Sequence, residues 1–282
     1  MRRTSSATEG YCTRYPLVTS STRPRAELAF DAYPRGVVDH VLSELQIAPG
    51  ELVVDARCQL AVGLSAAGAL VLAVDTFGLP AEAVASIARQ GDAPIHFARG
   101  RAEDLPNILA RELGTAMHAR VVTFGSAFRF MDRRAALEAC DRCGAECIAL
   151  VFGTSAPSPW RAIVADIIVD LARSRITTRV GAKNEALAPI FAGSAFSHIS
   201  RWQTEMRLER TAEEVATLAA FYALRAGIVV DFAACTQMTR AITTQLRRFV
   251  PSVYVEDVTY TVISARRGHG NRLSAHATAQ GL

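Results

Sequence analysis

The chain has 282 residues, half of them hydrophobic and 21% charged, so it can bury a sizeable core and is too apolar to be disordered over most of its length. Its net charge of +4 is spread over 31 basic residues, of which Lys183 is the single lysine, and 27 acids. No basic run with interleaved aromatics stands out, so no nucleic-acid partner is expected. The most apolar window, Gly63 to Pro80, carries Asp75 and falls short of the roughly 20 residues that span a bilayer. A cytoplasmic protein with no membrane partner is expected.

Residues 1–28 read as a flexible leader. They are rich in Arg, Ser and Thr and lack the apolar stretch of a secretory signal. Val37 to Leu45 reads as an amphipathic helix ended by Pro49-Gly50. From Glu51 short apolar runs alternate with helical stretches, the pattern of a parallel sheet covered on both faces. Leu52–Val54, Leu70–Val74, Ile95–Ala98, Arg120–Phe124 and Cys147–Phe152 read as five strands. Pro80–Gln90, Asn107–Gly114 and Arg133–Arg142 read as the helices between them. Pro157-Ser-Pro159 then breaks the pattern. A cap insertion is expected over about 154–200, with a helix from Trp160 to Ala172, covering the carboxyl edge of the sheet. Ala212–Leu224 and Phe232–Phe249 read as helices and Val255–Ala265 as a long closing strand. The domain is expected over 29–267, with a disordered tail over 268–282.

Cys140, Cys143 and Cys147 form a C-x2-C-x3-C spacing that iron-sulfur and zinc sites use. No fourth ligand lies nearby, and the first two fall at a helix end while the third begins an apolar strand. Packing as small hydrophobes accounts for them, and no metal is expected.

The chemistry-bearing segment is a strand-turn-helix-strand unit. It runs from Glu51-Leu-Val-Val-Asp55 through Ala-Arg-Cys-Gln-Leu-Ala-Val-Gly63 and on to Leu-Val-Leu-Ala-Val-Asp75. Strand, tight turn, helix, strand and terminal acid make half of a nucleotide- or nucleoside-binding fold. An acid at the end of the second strand can accept both ribose hydroxyl protons; a solvent-facing strand-end acid is the alternative for Asp75. The turn itself holds Arg57, Gln59 and Ala61 where such turns hold glycines, which allow the backbone to approach the ligand closely.

From about Tyr33 to Arg267 the chain resembles class I S-adenosylmethionine-dependent methyltransferases, in particular the small-molecule type-11 group. Ala48-Pro-Gly-Glu-Leu-Val-Val-Asp55 is similar to the family's first strand, and Val71-Leu-Ala-Val-Asp75 to its second. Gly100-Arg-Ala-Glu-Asp-Leu-Pro106 is similar to the turn beside the adenine. Val122-Thr-Phe-Gly-Ser-Ala-Phe128 with Met131-Asp-Arg133 resembles the fourth-strand motif, and Asp257-Val-Thr-Tyr-Thr-Val-Ile-Ser-Ala-Arg266 the closing strand. The resemblance implies a Rossmann-like α/β fold: a seven-stranded, mostly parallel sheet with one antiparallel strand, helices on both faces and a cap.

It also implies S-adenosyl-L-methionine as cofactor, with Asp75 on the ribose. Glu103 and Asp104 would border the adenine, although Asp104 is also placed as a helix N-cap. Asp55 would orient the turn or the amino-acid part of the cofactor, and Gly125 would permit close approach at the fourth strand. Arg57 and Gln59 depart from the family pattern and either obstruct the cofactor or bind its carboxylate. Arg129, Asp132 and Trp160 are expected on the acceptor side, and Phe191 and Phe196 with Trp160 would suit an apolar acceptor under the cap. His198 is a candidate base for a hydroxyl acceptor, or else an exposed residue at a strand start. The expected activity is methyl transfer to a small molecule, with an inactive methyltransferase-like binding protein as the alternative. A nicotinamide oxidoreductase would also use Asp75, but the turn departs equally from its glycine pattern and no Tyr-x-x-x-Lys pair can be built around Lys183.

Overall fold

A computed structural model of the chain describes residues 33–56, 60–76, 95–114, 117–172, 188–225, 228–229, 232–249 and 254–268. The expected leader, the tail beyond Gly268, the helix Pro80–Gln90, and Arg57 and Gln59 lie outside the described residues.

The five expected strands all form, four with slightly wider bounds and β4 one residue shorter: β1 (Leu52–Ala56), β2 (Leu70–Asp75), β3 (Ile95–Arg99), β4 (Val121–Phe124) and β5 (Cys147–Ser155). Two more follow, β6 (Phe196–Arg210) and β7 (Tyr254–Arg267). The sheet order is β3-β2-β1-β4-β5-β7-β6. β1 pairs in parallel with β2 and β4, β2 with β3, and β4 with β5. β7 runs antiparallel to both β5 and β6, so it alone opposes the other six. This strand order is that of the Rossmann-like seven-stranded methyltransferase fold.

The continuous apolar runs of β1 and β2 reflect burial on both faces. Val54, Leu72, Val122, Ile148 and Leu150 turn to one face and meet α3 (Leu105–Leu113) and α4 (Arg133–Arg142) through Leu105, Ile108, Ala136 and Cys140. Val53, Val71, Val121 and Ala149 turn to the other and meet α1 (Arg35–Leu45) and α2 (Ala61–Ala66) through Val37, Val41, Ala61 and Leu64. α1 carries its apolar residues three and four apart on one face, and those are the ones buried. α4 begins at Asp132, whose side chain accepts the Ala135 N–H at 3.1 Å.

A separate apolar cluster joins three helices, α5 (Pro159–Ala172), α6 (Ala212–Arg225) and α7 (Phe232–Phe249), through Val164, Ala216, Ala220, Met238, Ile242 and Leu246. β6 ends and β7 begins at the carboxyl edge of the sheet, so α6 and α7, which lie between them, stand over that edge. α5 lies within the expected 154–200 cap insertion and packs against α6 and α7, which lie outside it. Residues 154–155 belong to β5 and 196–200 to β6. Ala188–Phe191 forms a short 3-10 turn, and Phe191 and Phe196, 3% and 1% exposed, pack in the core beside α4. Because they fill the core beneath the sheet, they do not line an acceptor pocket.

Cys140 and Cys143 pack on the α4 face and Cys147 on the opposite face of the sheet, so the C-x2-C-x3-C spacing does not bring its thiols together. Burial raises the Cys143 thiol to about 12, and Cys140 and Cys147 are raised by the same cause. Protonated, buried thiols are poor ligands and poor nucleophiles.

Candidate functional site

β1 and β4 are neighbours whose following connections leave in opposite directions, β1 leading to β2 and β4 to β5. Open α/β sheets bind ligands in the crevice at such a switch point, beyond the carboxyl ends of the strands. Asp55 ends near that crevice on β1, Asp75 ends β2, and Gly125 follows β4.

Asp55 is fully buried. Its Oδ2 accepts the backbone N–H groups of Leu60 and Ala61 at 2.8 and 2.7 Å, and its Oδ1 accepts the Thr123 hydroxyl at 2.9 Å. One carboxylate thus closes the β1–α2 turn, satisfies two N–H groups at the start of α2, and ties the turn to β4. Of the two expected roles, orienting the turn is the one its hydrogen bonds perform.

Asp75 is 5% exposed at the carboxyl end of β2, and its backbone carbonyl accepts the Gly100 N–H at 3.1 Å. This places the acid beside the β3 end, where the chain turns into Ala102–Asp104. Gly100 packs so closely there that a β-carbon would lie 2.3 Å from the Ile108 Cδ1 atom on α3.

Glu103 turns from the sheet toward α4. It accepts the Arg101 guanidinium at 3.0 Å and the backbone N–H of Asp132 at 3.2 Å. Burial alone would raise its carboxyl, but those bonds outweigh it and hold the group below its ordinary range. Asp104 is exposed at the N-cap position of α3, yet its side chain accepts the Asn107 amide at 2.5 Å rather than a backbone N–H. The capping expectation is therefore met in position and not in hydrogen bonding.

Gly125 sits buried at φ −84°, ψ −166°, extended backbone open to any residue, with its carbonyl accepting the Phe128 N–H at 3.0 Å. The 3-10 turn Ser126–Phe130 follows, and Arg129 donates back to the Ser126 carbonyl at 3.0 Å. Asp132 is the α4 N-cap.

Trp160 opens the cap. Its ring meets Tyr254 edge-on at 5.8 Å, its Nε1–H donates to the Val255 carbonyl at 3.3 Å, and the Arg161 guanidinium lies 5.4 Å over it. Arg161 also reaches Ser155 at 2.5 Å and pairs with Glu256, which Arg210 holds from the other side at 3.2 Å. Glu256 is 6% exposed, so this Arg-Glu-Arg group fastens α5 to the β6–β7 strand pair at the carboxyl edge.

Two contributors escape the sequence reading. Glu256 is one. The other is Tyr33, whose hydroxyl donates to the Val151 carbonyl at 2.8 Å and accepts the Ser126 N–H at 3.1 Å. Tyr33 thereby ties the segment before α1 to the end of β4 and the middle of β5, with its ring edge-on to Tyr260 at 5.9 Å. A Tyr-Pro pair directly ahead of a helix is the local sign.

His198 lies away from the crevice, contrary to its expected role as a base. It pairs with Arg266, which pairs with Cys147, the first residue of β5, so it stands at the amino edge of the sheet. Asp55 and Asp75 stand at the opposite edge. His198 is exposed there, as a residue near the start of a strand, and the whole sheet separates it from the crevice.

No protein-family model and no curated protein matches the chain. Among solved structures it is similar to the YcgJ protein of Bacillus subtilis, at 14% identity and a TM-score of 0.48, covering 84% of this chain and 100% of that one. It is also similar to the geranyl diphosphate C-methyltransferase of Streptomyces coelicolor in complex with S-adenosyl-L-homocysteine, at 13% identity and a TM-score of 0.41, covering 83% of this chain and 76% of that one. Among the described residues no helix is long and apolar enough to cross a membrane, and no group of three or more His, Cys, Asp or Glu could hold a metal ion.

Proposed function

We propose that the chain is an S-adenosyl-L-methionine-dependent methyltransferase acting on a small molecule. The observation that carries this reading is Asp75, a nearly buried acid at the carboxyl end of β2, next to the β1–β4 switch point. An acid there suits a ribose, whose two hydroxyls it can accept. Asp55 holds the turn in place by accepting the Leu60 and Ala61 N–H groups. We assign Arg129, on the turn after β4, and Trp160, at the start of α5, to the acceptor side.

The cofactor supplies a methyl group on a sulfonium centre that already leaves readily, so the protein has to align the partners more than supply acid or base. Alignment alone accounts for about 7–11 kcal/mol of barrier in ideal cases. Loss of His198 as a base therefore leaves the reading intact.

Equilibrium titration of the native chain and of Asp75→Ala with S-adenosyl-L-methionine tests the proposal. The native protein should bind saturably and the variant should bind about tenfold or more weakly, since a charge-assisted contact is worth about 1.5–3 kcal/mol. Equal affinity would remove Asp75 from the site.

One observation favours a second reading, an inactive methyltransferase-like binding protein: Arg57, Gln59 and Ala61 occupy the turn where the family has glycines. That reading predicts no methyl transfer even at saturating cofactor.

A further inference from the structure

β6 is the last strand of the sheet and, among the described residues, the longest, fifteen residues from Phe196 to Arg210. β7 covers one side of it. Among the described residues nothing pairs with the other. A long open edge exposes backbone N–H and C=O groups that invite another strand, and proteins blunt such edges with proline, lysine or bulges. β6 contains no proline or lysine, and its one register irregularity lies at its start, between Phe196 and His198.

Its side chains carry a pattern. Arg201, Gln203, Glu205, Arg207 and Glu209 share one face and are all exposed. The four charges among them make no ion pair or side-chain hydrogen bond among the described residues. Trp202, Thr204, Met206 and Leu208 share the other face and are half-buried, with Trp202 stacked on His40 at 4.1 Å.

We propose that β6 is a homodimer interface, at which two copies of the chain pair their β6 strands antiparallel about a two-fold axis at Gln203. The register follows from the pleat. A two-fold axis perpendicular to a continuous sheet keeps each side chain on its face, so residue i can oppose only a residue of the same parity. Gln203 is the middle residue of Phe196–Arg210, so an axis there lets the whole strand pair.

In that register Arg201 opposes Glu205 of the second copy, twice by symmetry, and no like charges meet. On the other face Trp202 opposes Thr204 and Met206 opposes Ser200, each large side chain facing a small one. The Gln203 side chain already leans onto Thr261 at 2.8 Å, which clears the axis. Moving the axis one residue to Thr204 sets Arg201 against Arg207. Moving it to Glu205 sets that carboxylate against itself. Axes at Met206 and Leu208 also set Arg against Glu but pair fewer residues, so charge and pairing length together select Gln203.

Sedimentation and light scattering of the full chain test the proposal. The native protein should run at twice the 30.4 kDa chain mass. Arg201→Glu alone or Glu205→Arg alone places like charges at two symmetric contacts and should raise the dimer dissociation constant about tenfold, with the circular dichroism unchanged. The double variant R201E/E205R rebuilds both pairs and should restore the native constant. Gln203→Cys should form a disulfide between copies on mild oxidation, because directly opposed residues lie within disulfide reach. A monomeric native chain, single reversals without effect, a double variant that stays dissociated, or absence of the Gln203→Cys link would each overturn it.

Discussion

Thr123 and Asp55 lie opposite each other in the parallel pairing of β1 and β4, and the Thr123 hydroxyl donates to the Asp55 carboxylate at 2.9 Å with both residues fully buried. The bond joins the two strands that border the crevice, and the same carboxylate holds the Leu60 and Ala61 N–H groups. Thr123→Val keeps the shape and removes the donor, leaving a buried charged oxygen short of one partner. Urea unfolding should show a loss of about 1–3 kcal/mol. A variant as stable as the native chain would mean that the bond does not brace the turn.

Gly63 sets how closely α2 approaches α1. A β-carbon there would lie 2.8 Å from both Val38 methyl carbons, which belong to a buried, branched side chain with little room to move. Gly63→Ala should cost about 1–3 kcal/mol as an overpacked core, and Val38→Ala in the same chain should recover part of that loss. Additive losses in the double variant would show that the two residues do not collide.

Much of this fold is legible because its periodicities are strong. The runs around Leu52, Leu70, Val121 and Cys147 are apolar at successive positions, and two-sided burial in a parallel sheet demands that. Helices such as Arg133–Arg142 announce themselves by their spacing and by Asp132 at the cap. β6 is different. Its alternation of Trp202, Thr204, Met206 and Leu208 with Arg201, Gln203, Glu205, Arg207 and Glu209 has period two, but its charged half has low strand propensity and only its first residues read as a strand. Missing β6 is also what misplaces His198, since the edge of the sheet that a residue occupies depends on which way its strand runs. The crevice acids were legible from their spacing along the chain. Glu256 and Tyr33 were not, because their partners Arg161, Arg210, Val151 and Ser126 lie 46 to 118 residues away.

Glu256 gives the cap a dependence on acid. Burial alone would raise its carboxyl, but bonds and charge from Ser155, Arg161 and Arg210 outweigh that and hold it below its ordinary value of 4.5. A group lowered by folding contributes stability that is fully present above its unfolded value and is lost as pH falls through the lowered one. The stability gap between the native chain and Glu256→Gln should therefore be constant from pH 7 down to about pH 5 and narrow below about pH 4. A gap independent of pH over that range would show that the carboxylate charge is not what fastens α5 to the β6–β7 strand pair.

Arg57, Gln59 and Ala61 are where the turn chemistry and the fold disagree. A turn that must approach a ligand by its backbone leaves little room for a long side chain, so Arg57→Gly, Gln59→Gly and Ala61→Gly together should tighten cofactor binding while the added backbone freedom lowers stability. If the Arg57 side chain instead pairs with the ligand's carboxylate, the same change weakens binding. Comparing the affinities of the two proteins decides between obstruction and an altered contact.

Calorimetric titration of the full chain with S-adenosyl-L-methionine decides whether the crevice holds the cofactor. The native protein should show weak, saturable binding at one site per chain, stronger binding once the three turn positions are glycine, and loss of that gain when Asp75→Ala is added. Absence of binding by the native and glycine-restored proteins alike would contradict it.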